Sequence, residues 1–144
     1  MNRAVIDNCE EIVLHKSIVL KENKSVYRAI NINEIKVSKY KVDGCIYDTG
    51  SIETRCDYLL ETNQELYFVE LKGSNTQKGL EQILTSINNL KQYFNYNAIN
   101  ARIITTRGTR PQRLNTYSEY RDLLKLIGRE SIIISNTPFE ENIN

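Results

Sequence analysis

Asp57, Glu70 and Lys72 are the residues of this chain whose types and spacing could do chemistry. They lie in Arg55-Cys56-Asp57-Tyr58-Leu59-Leu60, a polar break, and then Leu66-Tyr67-Phe68-Val69-Glu70-Leu71-Lys72-Gly73. Strand side chains alternate between faces, so Glu70 and Lys72 share one face and Leu71 takes the other. The break Glu61-Thr62-Asn63-Gln64-Glu65 reads as a hairpin turn centred on Asn63-Gln64, and positions equidistant from that centre pair across an antiparallel hairpin. Asp57 then falls opposite Glu70, with Cβ atoms roughly 4.5–5.5 Å apart. Two carboxylates that close repel each other unless a cation or a lysine sits between them. A divalent metal suits the gap, and the lysine two residues along stands on the same face.

An aspartate, a spacer and then Glu-x-Lys at the end of an apolar strand resembles the PD-(D/E)xK nuclease superfamily, the restriction-endonuclease-like and Holliday-junction-resolvase-like enzymes. The likeness spans about residues 43–106, with Cys56 standing where the family name has proline. It implies an α/β sandwich in which a central mixed sheet, antiparallel strands followed by a parallel strand, is flanked by helices. Asp57 and Glu70, with the Leu71 carbonyl, would hold Mg²⁺ or Mn²⁺ through hard oxygen ligands. Lys72 would orient or activate the attacking water for phosphodiester hydrolysis. The substrate expected is nucleic acid, DNA rather than RNA. So small a domain has little surface for long-sequence readout, so structure-selective or nonspecific cutting is expected. Many relatives dimerise, so a homodimer is also implied, although the sequence shows no interface. A second reading stays open: a catalytically silent module on the same fold, holding nucleic acid or a protein partner in phage defence or toxin neutralisation.

Further candidates surround this core. Some members carry a glutamine on the helix after Glu-x-Lys, and Leu80-Glu81-Gln82-Ile83 resembles that segment. At about 100° per residue, Gln82 lies off the Leu80/Leu84/Ile87 stripe and reaches the site only if the helix N-terminus overhangs it. Glu10 and Glu11 are candidates for an acid on a first helix, Glu10 having a sufficient explanation as capping partner of Asp7. If the turn after Asp48 centres near Gly50, Asp43 falls opposite Asp57 and adds a carboxylate. Arg107 and Arg110 follow a strand whose end should lie near the active face, as phosphate contacts or as a solvated loop.

Composition narrows the chemistry. His15 is the single histidine, which excludes a two-histidine acid–base mechanism and multi-histidine metal sites. The cysteines, Cys9, Cys45 and Cys56, form no C-x-x-C and lack zinc spacing, so reduced thiols and a cytoplasmic setting are expected. The N-terminal residues lack the apolar run of a signal peptide, and no run approaches the roughly 20 residues of a membrane helix, so no membrane partner is expected. Net charge is only +1, but its distribution is uneven. Residues 42–70 carry Asp43, Asp48, Glu53, Asp57, Glu61, Glu65 and Glu70 against Arg55 alone. Residues 16–41 are rich in lysine, and residues 101–115 hold Arg102, Arg107, Arg110 and Arg113 without an acid. An acidic centre between basic flanks is what a metal-dependent enzyme acting on polyphosphate needs.

The elements that must position these residues follow from periodicity. One domain over 1–144 is expected. A first helix is predicted over 8–16, strand-like pattern over 35–47, strands over 54–60 and 65–72, and a helix over 77–95. Its apolar positions Leu80, Ile83, Leu84, Ile87, Leu90 and Phe94 have helical spacing. A strand over 102–106, a helix over 117–127 and a strand over 131–135 complete the order. Residues 17–34 are ambiguous, because asparagines interrupt their β-branched residues, and the last five residues are expected to fray.

Overall fold

The computed structural model describes residues 1–106 and 111–144, the side chains of 111–113 aside. It contains helices α1 (Arg3–Asp7), α2 (Thr76–Leu90) and α3 (Ser118–Ile127). Its strands are β1 (Glu10–Val13), β2 (Ser17–Glu22), β3 (Ser25–Ile30), β4 (Val37–Lys41), β5 (Tyr58–Glu61), β6 (Glu65–Lys72), β7 (Ala98–Thr105), β8 (Ile132–Asn136) and β9 (Phe139–Asn142). Six strands form a mixed sheet in the order β1-β4-β5-β6-β7-β8, antiparallel from β1 to β6 and parallel from β6 to β8. The expected α/β architecture with a central mixed sheet is therefore present.

One face of the sheet is covered by α2 and α3. Phe68, Leu59, Ala101 and Ile103 meet Leu80, Ile83, Ile87 and Leu90 of α2 there, all fully buried. The apolar stripe read from the sequence is thus the packing face of α2, and burying each such leucine or isoleucine contributes roughly 1.5–3 kcal/mol. The other face departs from expectation. Helices do not flank it; a second sheet, β2-β3-β9, does. Leu20, Tyr27 and Ala29 pack there on Leu60, Val69, Leu71 and Ile104. The ambiguous stretch 17–34 is mostly this β2–β3 hairpin.

Three further expectations are corrected. The Asp7/Glu10 pair does not cap a helix over 8–16. The helix is the short α1, capped by the Asn2 side chain on the Val5 N–H, and Glu10–Val13 instead pairs with β4. Cys9 then lies against the turn after β4, and a disulfide joins Cys9 to Cys45 across 36 residues of chain. The expected three reduced thiols, and the compartment argument built on them, are corrected: only buried Cys56 is free. The tail does not fray either: β9 pairs in parallel with β3, and Ile143 is buried in the second core. Among the described residues no helix is long and apolar enough to cross a membrane.

Candidate active site

The β5–β6 hairpin has the register read from its turn. Thr62 N–H donates to the Glu65 carbonyl, and Tyr58 pairs with Val69, Leu59 with Phe68 and Leu60 with Tyr67. Asp57 and Glu70 are the next step of that register. β5 has ended by then, so the edge of β6 is open beside Asp57. The Leu71 N–H fills the opening by donating to Asp57 Oδ2 at 2.8 Å. A strand residue points its N–H and C=O to the same edge, so the Leu71 carbonyl also faces the Asp57 side.

Glu70 is 2% exposed and Asp57 9% exposed, both on the face covered by α2. Lys72 Nζ stands 3.8 Å from Glu70 Oε2, its side chain about a quarter exposed. The other oxygen, Glu70 Oε1, is buried and receives no N–H or hydroxyl; the group close enough to share a proton with Glu70 is the Asp57 carboxyl. Burial drives the Glu70 carboxyl far above the ordinary range, the charge of Asp57 adds to that, and Lys72 pulls partly back. Asp57 is pushed up to about 6, first by burial, against the lowering effect of the Leu71 N–H, with the charges of Glu22 and Asp43 adding to the rise.

Helix α2 closes the site from above. A Cβ built on Gly79 would lie 3.6 Å from Glu70 Cγ and 3.2 Å from Ile103 Cγ2, so glycine lets the helix sit directly on Glu70. Gln82, one turn on, donates from Nε2 to the Arg55 carbonyl at 3.2 Å, while its Oε1 is buried without a partner. Ser86 Oγ accepts the Cys56 N–H at 2.7 Å. The helix N-terminal half does overhang the site, and Gln82 and Ser86 hold the segment that presents Asp57.

Asp43 is corrected. β4 pairs with β5 so that Lys41 meets Tyr58, which sets Val42 opposite Asp57; the Val42 N–H donates to the Asp57 carbonyl at 2.9 Å. The connecting turn centres half a residue from the assumed point, and Asp43 moves one step off. Its carboxylate pairs with Arg55 at 2.9 Å, while Arg55 also donates to the carbonyls of Asp48, Ser51 and Glu53. Glu11 is corrected by parity. It pairs with Lys39, which pairs with Leu60 and so with Tyr67, the face turned away from Asp57 and Glu70. Glu10 is on the α2 face but is taken up by the Ser38 hydroxyl. Arg107 and Arg110 lie outside the described residues. Arg102, counted among the basic residues, is 5% exposed and bound to Glu141.

A hollow of about 550 Å³ at the other end of the sheet is lined by Arg3, Glu10, Ser38 and Glu61. Its acids are already satisfied, Glu10 by Ser38 and Glu61 by the Tyr40 hydroxyl at 2.9 Å. The carboxylate oxygen that receives no N–H or hydroxyl is at Glu70. Among the described residues no group of three or more acids, histidines or cysteines is set to hold a metal ion. The oxygens gathered at this end of β6 are those of two carboxyl groups, with the Leu71 carbonyl facing the same side. Hard oxygens, one of them buried and receiving no N–H or hydroxyl, fit a divalent cation such as Mg²⁺.

Sequence reasoning missed Gly79, Ser86, Arg55 and Glu22. For the first two a signal existed: Gly79, Gln82 and Ser86 form a small-and-polar stripe at helical spacing beside the apolar one. Compared with protein-family models, curated proteins and solved structures, the chain finds no match.

Proposed function

We propose that this protein is a small metal-dependent nuclease of the PD-(D/E)xK type, with a restriction-endonuclease-like fold, acting on DNA. The observation that carries the reading is the buried pair Asp57 and Glu70, with Glu70 Oε1 receiving no N–H or hydroxyl and Lys72 beside it. Two acids buried side by side cost several kcal/mol to ionise together, and Lys72 offsets only part of that. A fold that keeps such a pair has a use for it, and a cation is the simplest compensation. A binding module would gain nothing from that cost.

Asp57, Glu70 and the Leu71 carbonyl would hold Mg²⁺ or Mn²⁺. When bound, the ion supplies charge neutralisation at the phosphate and a more acidic water. The chain's own residues do the rest. The Leu71 N–H fixes one Asp57 oxygen, leaving the other for binding. Gly79 lets α2 exclude bulk water from Glu70, which strengthens the electrostatics of the site. Lys72, partly exposed and tethered near Glu70, orients the water that attacks phosphorus. The water oxygen bonds to phosphorus as the P–O bond to the leaving sugar oxygen breaks; the attacking water gives up a proton to solvent, and the leaving oxygen takes one from solvent.

The test is incubation with supercoiled plasmid, single-stranded DNA, a four-way junction and RNA, each with Mg²⁺ or Mn²⁺, beside Lys72→Ala. Metal-dependent cutting of a DNA substrate that the variant loses supports the reading and names the substrate structure. No cutting by the folded parent gives the lead to the silent-module reading.

A further inference from the structure

The tip of the β2–β3 hairpin stands beside the catalytic strand, and nothing in the reaction above uses it. Glu22 pairs with Ser25 across a two-residue turn, Asn23-Lys24, in which Asn23 takes a left-handed φ of 54°. That geometry suits asparagine and fixes a tight tip. The tip is pinned on two sides. Ser25 Oγ donates to the Lys72 carbonyl at 2.9 Å, and the Val26 N–H donates to Thr137 Oγ1 at 2.8 Å. Across from it, the Thr106 N–H and hydroxyl both donate to the Gly73 carbonyl, at 2.8 and 2.7 Å.

Between these fixed walls runs a groove of about 250 Å³, bordered by Glu22, Asn23, Lys24, Lys72, Gly73 and Thr106. Its volume is below the roughly 300–1,000 Å³ of small-molecule pockets, and its side is open to solvent. That shape suits a polymer passing through better than an enclosed ligand. The tip holds the Lys72 carbonyl, so the groove borders the strand end that carries Lys72. Lys24 is exposed and has no ion-pair partner among the described residues. Glu22 lines the same groove, forms no ion pair with Lys24, and its charge also reaches Asp57. An unpaired ammonium on a rigid tip beside the site is a point-charge phosphate contact.

We propose that this groove carries the DNA strand next to the cut, with Lys24 holding the phosphate adjacent to the scissile one. The proposal rests on the nuclease reading. The test is fluorescence anisotropy of the full chain with labelled DNA, as duplex, single strand and four-way junction, in Ca²⁺, which occupies oxygen-ligand sites with looser geometry. The salt concentration is varied. Lys24→Gln is expected to bind roughly threefold to tenfold more weakly, and the slope of log K against log salt to shrink by about 0.9, the loss of one phosphate contact. Lys125→Gln, exposed on α3, should leave both unchanged. A Lys24→Gln variant with the parent's affinity and slope overturns the groove and leaves the nuclease standing. A folded parent that binds neither duplex, single-stranded DNA nor a four-way junction overturns both. Lys24 is exposed at a turn, so the variant should fold as the parent does.

Discussion

Asp57 and Glu70 stand one register step beyond the last ladder pair of the β5–β6 hairpin, Tyr58 with Val69, where the Leu71 N–H binds Asp57 in place of a neighbouring strand. The end of pairing is what makes room for chemistry. A longer β5 would occupy the Leu71 edge with backbone, and Asp57 would have no reason to turn toward it. The same geometry buries two acids together, and that has measurable consequences.

Stability without metal should fall as pH rises. Asp57 titrates near 4 in an unfolded chain and is pushed up to about 6 here. Its protonated form therefore favours the fold below about pH 4, and that contribution is lost as pH rises through about 6. The loss is on the order of 3 kcal/mol. Glu70 is raised further, so the decline continues above that window. Thermal melts in EDTA from pH 4 to 8 should show it. Glu70→Gln should flatten it, and millimolar Mg²⁺ should restore the parent but not the variant at pH 8. A melting temperature that rises steadily to pH 8 in EDTA would contradict the buried pair.

Lys72→Ala should separate binding from chemistry. Removing an ammonium 3.8 Å from Glu70 takes away a competitor for the cation, so calorimetric Mg²⁺ affinity should hold or improve. Cutting should drop by about 10²–10⁴, the usual contribution of a positioned proton-transfer or water-orienting group. If affinity and cutting fall together, Lys72 is a structural partner of Glu70 instead.

Gly79→Val tests how closely α2 lies on the site. Valine is the better helix former by a few tenths of a kcal/mol, and at an open position it would stabilise. Here its Cβ would already stand 3.2 Å from Ile103 Cγ2 and 3.6 Å from Glu70 Cγ, tight before any methyl is added. Overpacking should cost roughly 1–3 kcal/mol in urea unfolding and weaken Mg²⁺ binding by moving Glu70. A stabilised Gly79→Val would mean the helix stands off the sheet.

What the sequence made legible was local. The hairpin register follows from one turn of known centre, and it set Asp57 opposite Glu70 correctly. The α2 stripe likewise needs only its own spacing. What stayed hidden depends on partners far along the chain. Val19 and Leu20 read ambiguously because β2 pairs with β3 while its inner face meets Leu71 and Ile104. Glu10 looks like a capping residue until β4 arrives to pair with it. The tail is polar, and only β3, more than 100 residues earlier, makes it a strand. Asp43 failed by half a residue in a turn whose length no local signal fixes.

The last strand supplies the sharpest stability prediction. Arg102 is 5% exposed in the middle of β7 and reaches across the small sheet to Glu141 of β9. Its Nε and Nη2 donate to the two Glu141 oxygens at 2.7 and 3.1 Å, and the Tyr27 hydroxyl donates to the same carboxylate at 2.7 Å. Glu141→Ala leaves a buried guanidinium without its anion and a buried hydroxyl without its acceptor. The expected cost is about 3–5 kcal/mol, with β9 detaching first in hydrogen exchange. Replacing both partners, Arg102→Met with Glu141→Leu, removes the charge along with the need for it. That double variant should recover most of the loss, because desolvating two ions offsets much of what their attraction contributes. If it unfolds as readily as Glu141→Ala, the ion pair stabilises the junction of the two sheets by more than desolvation takes back.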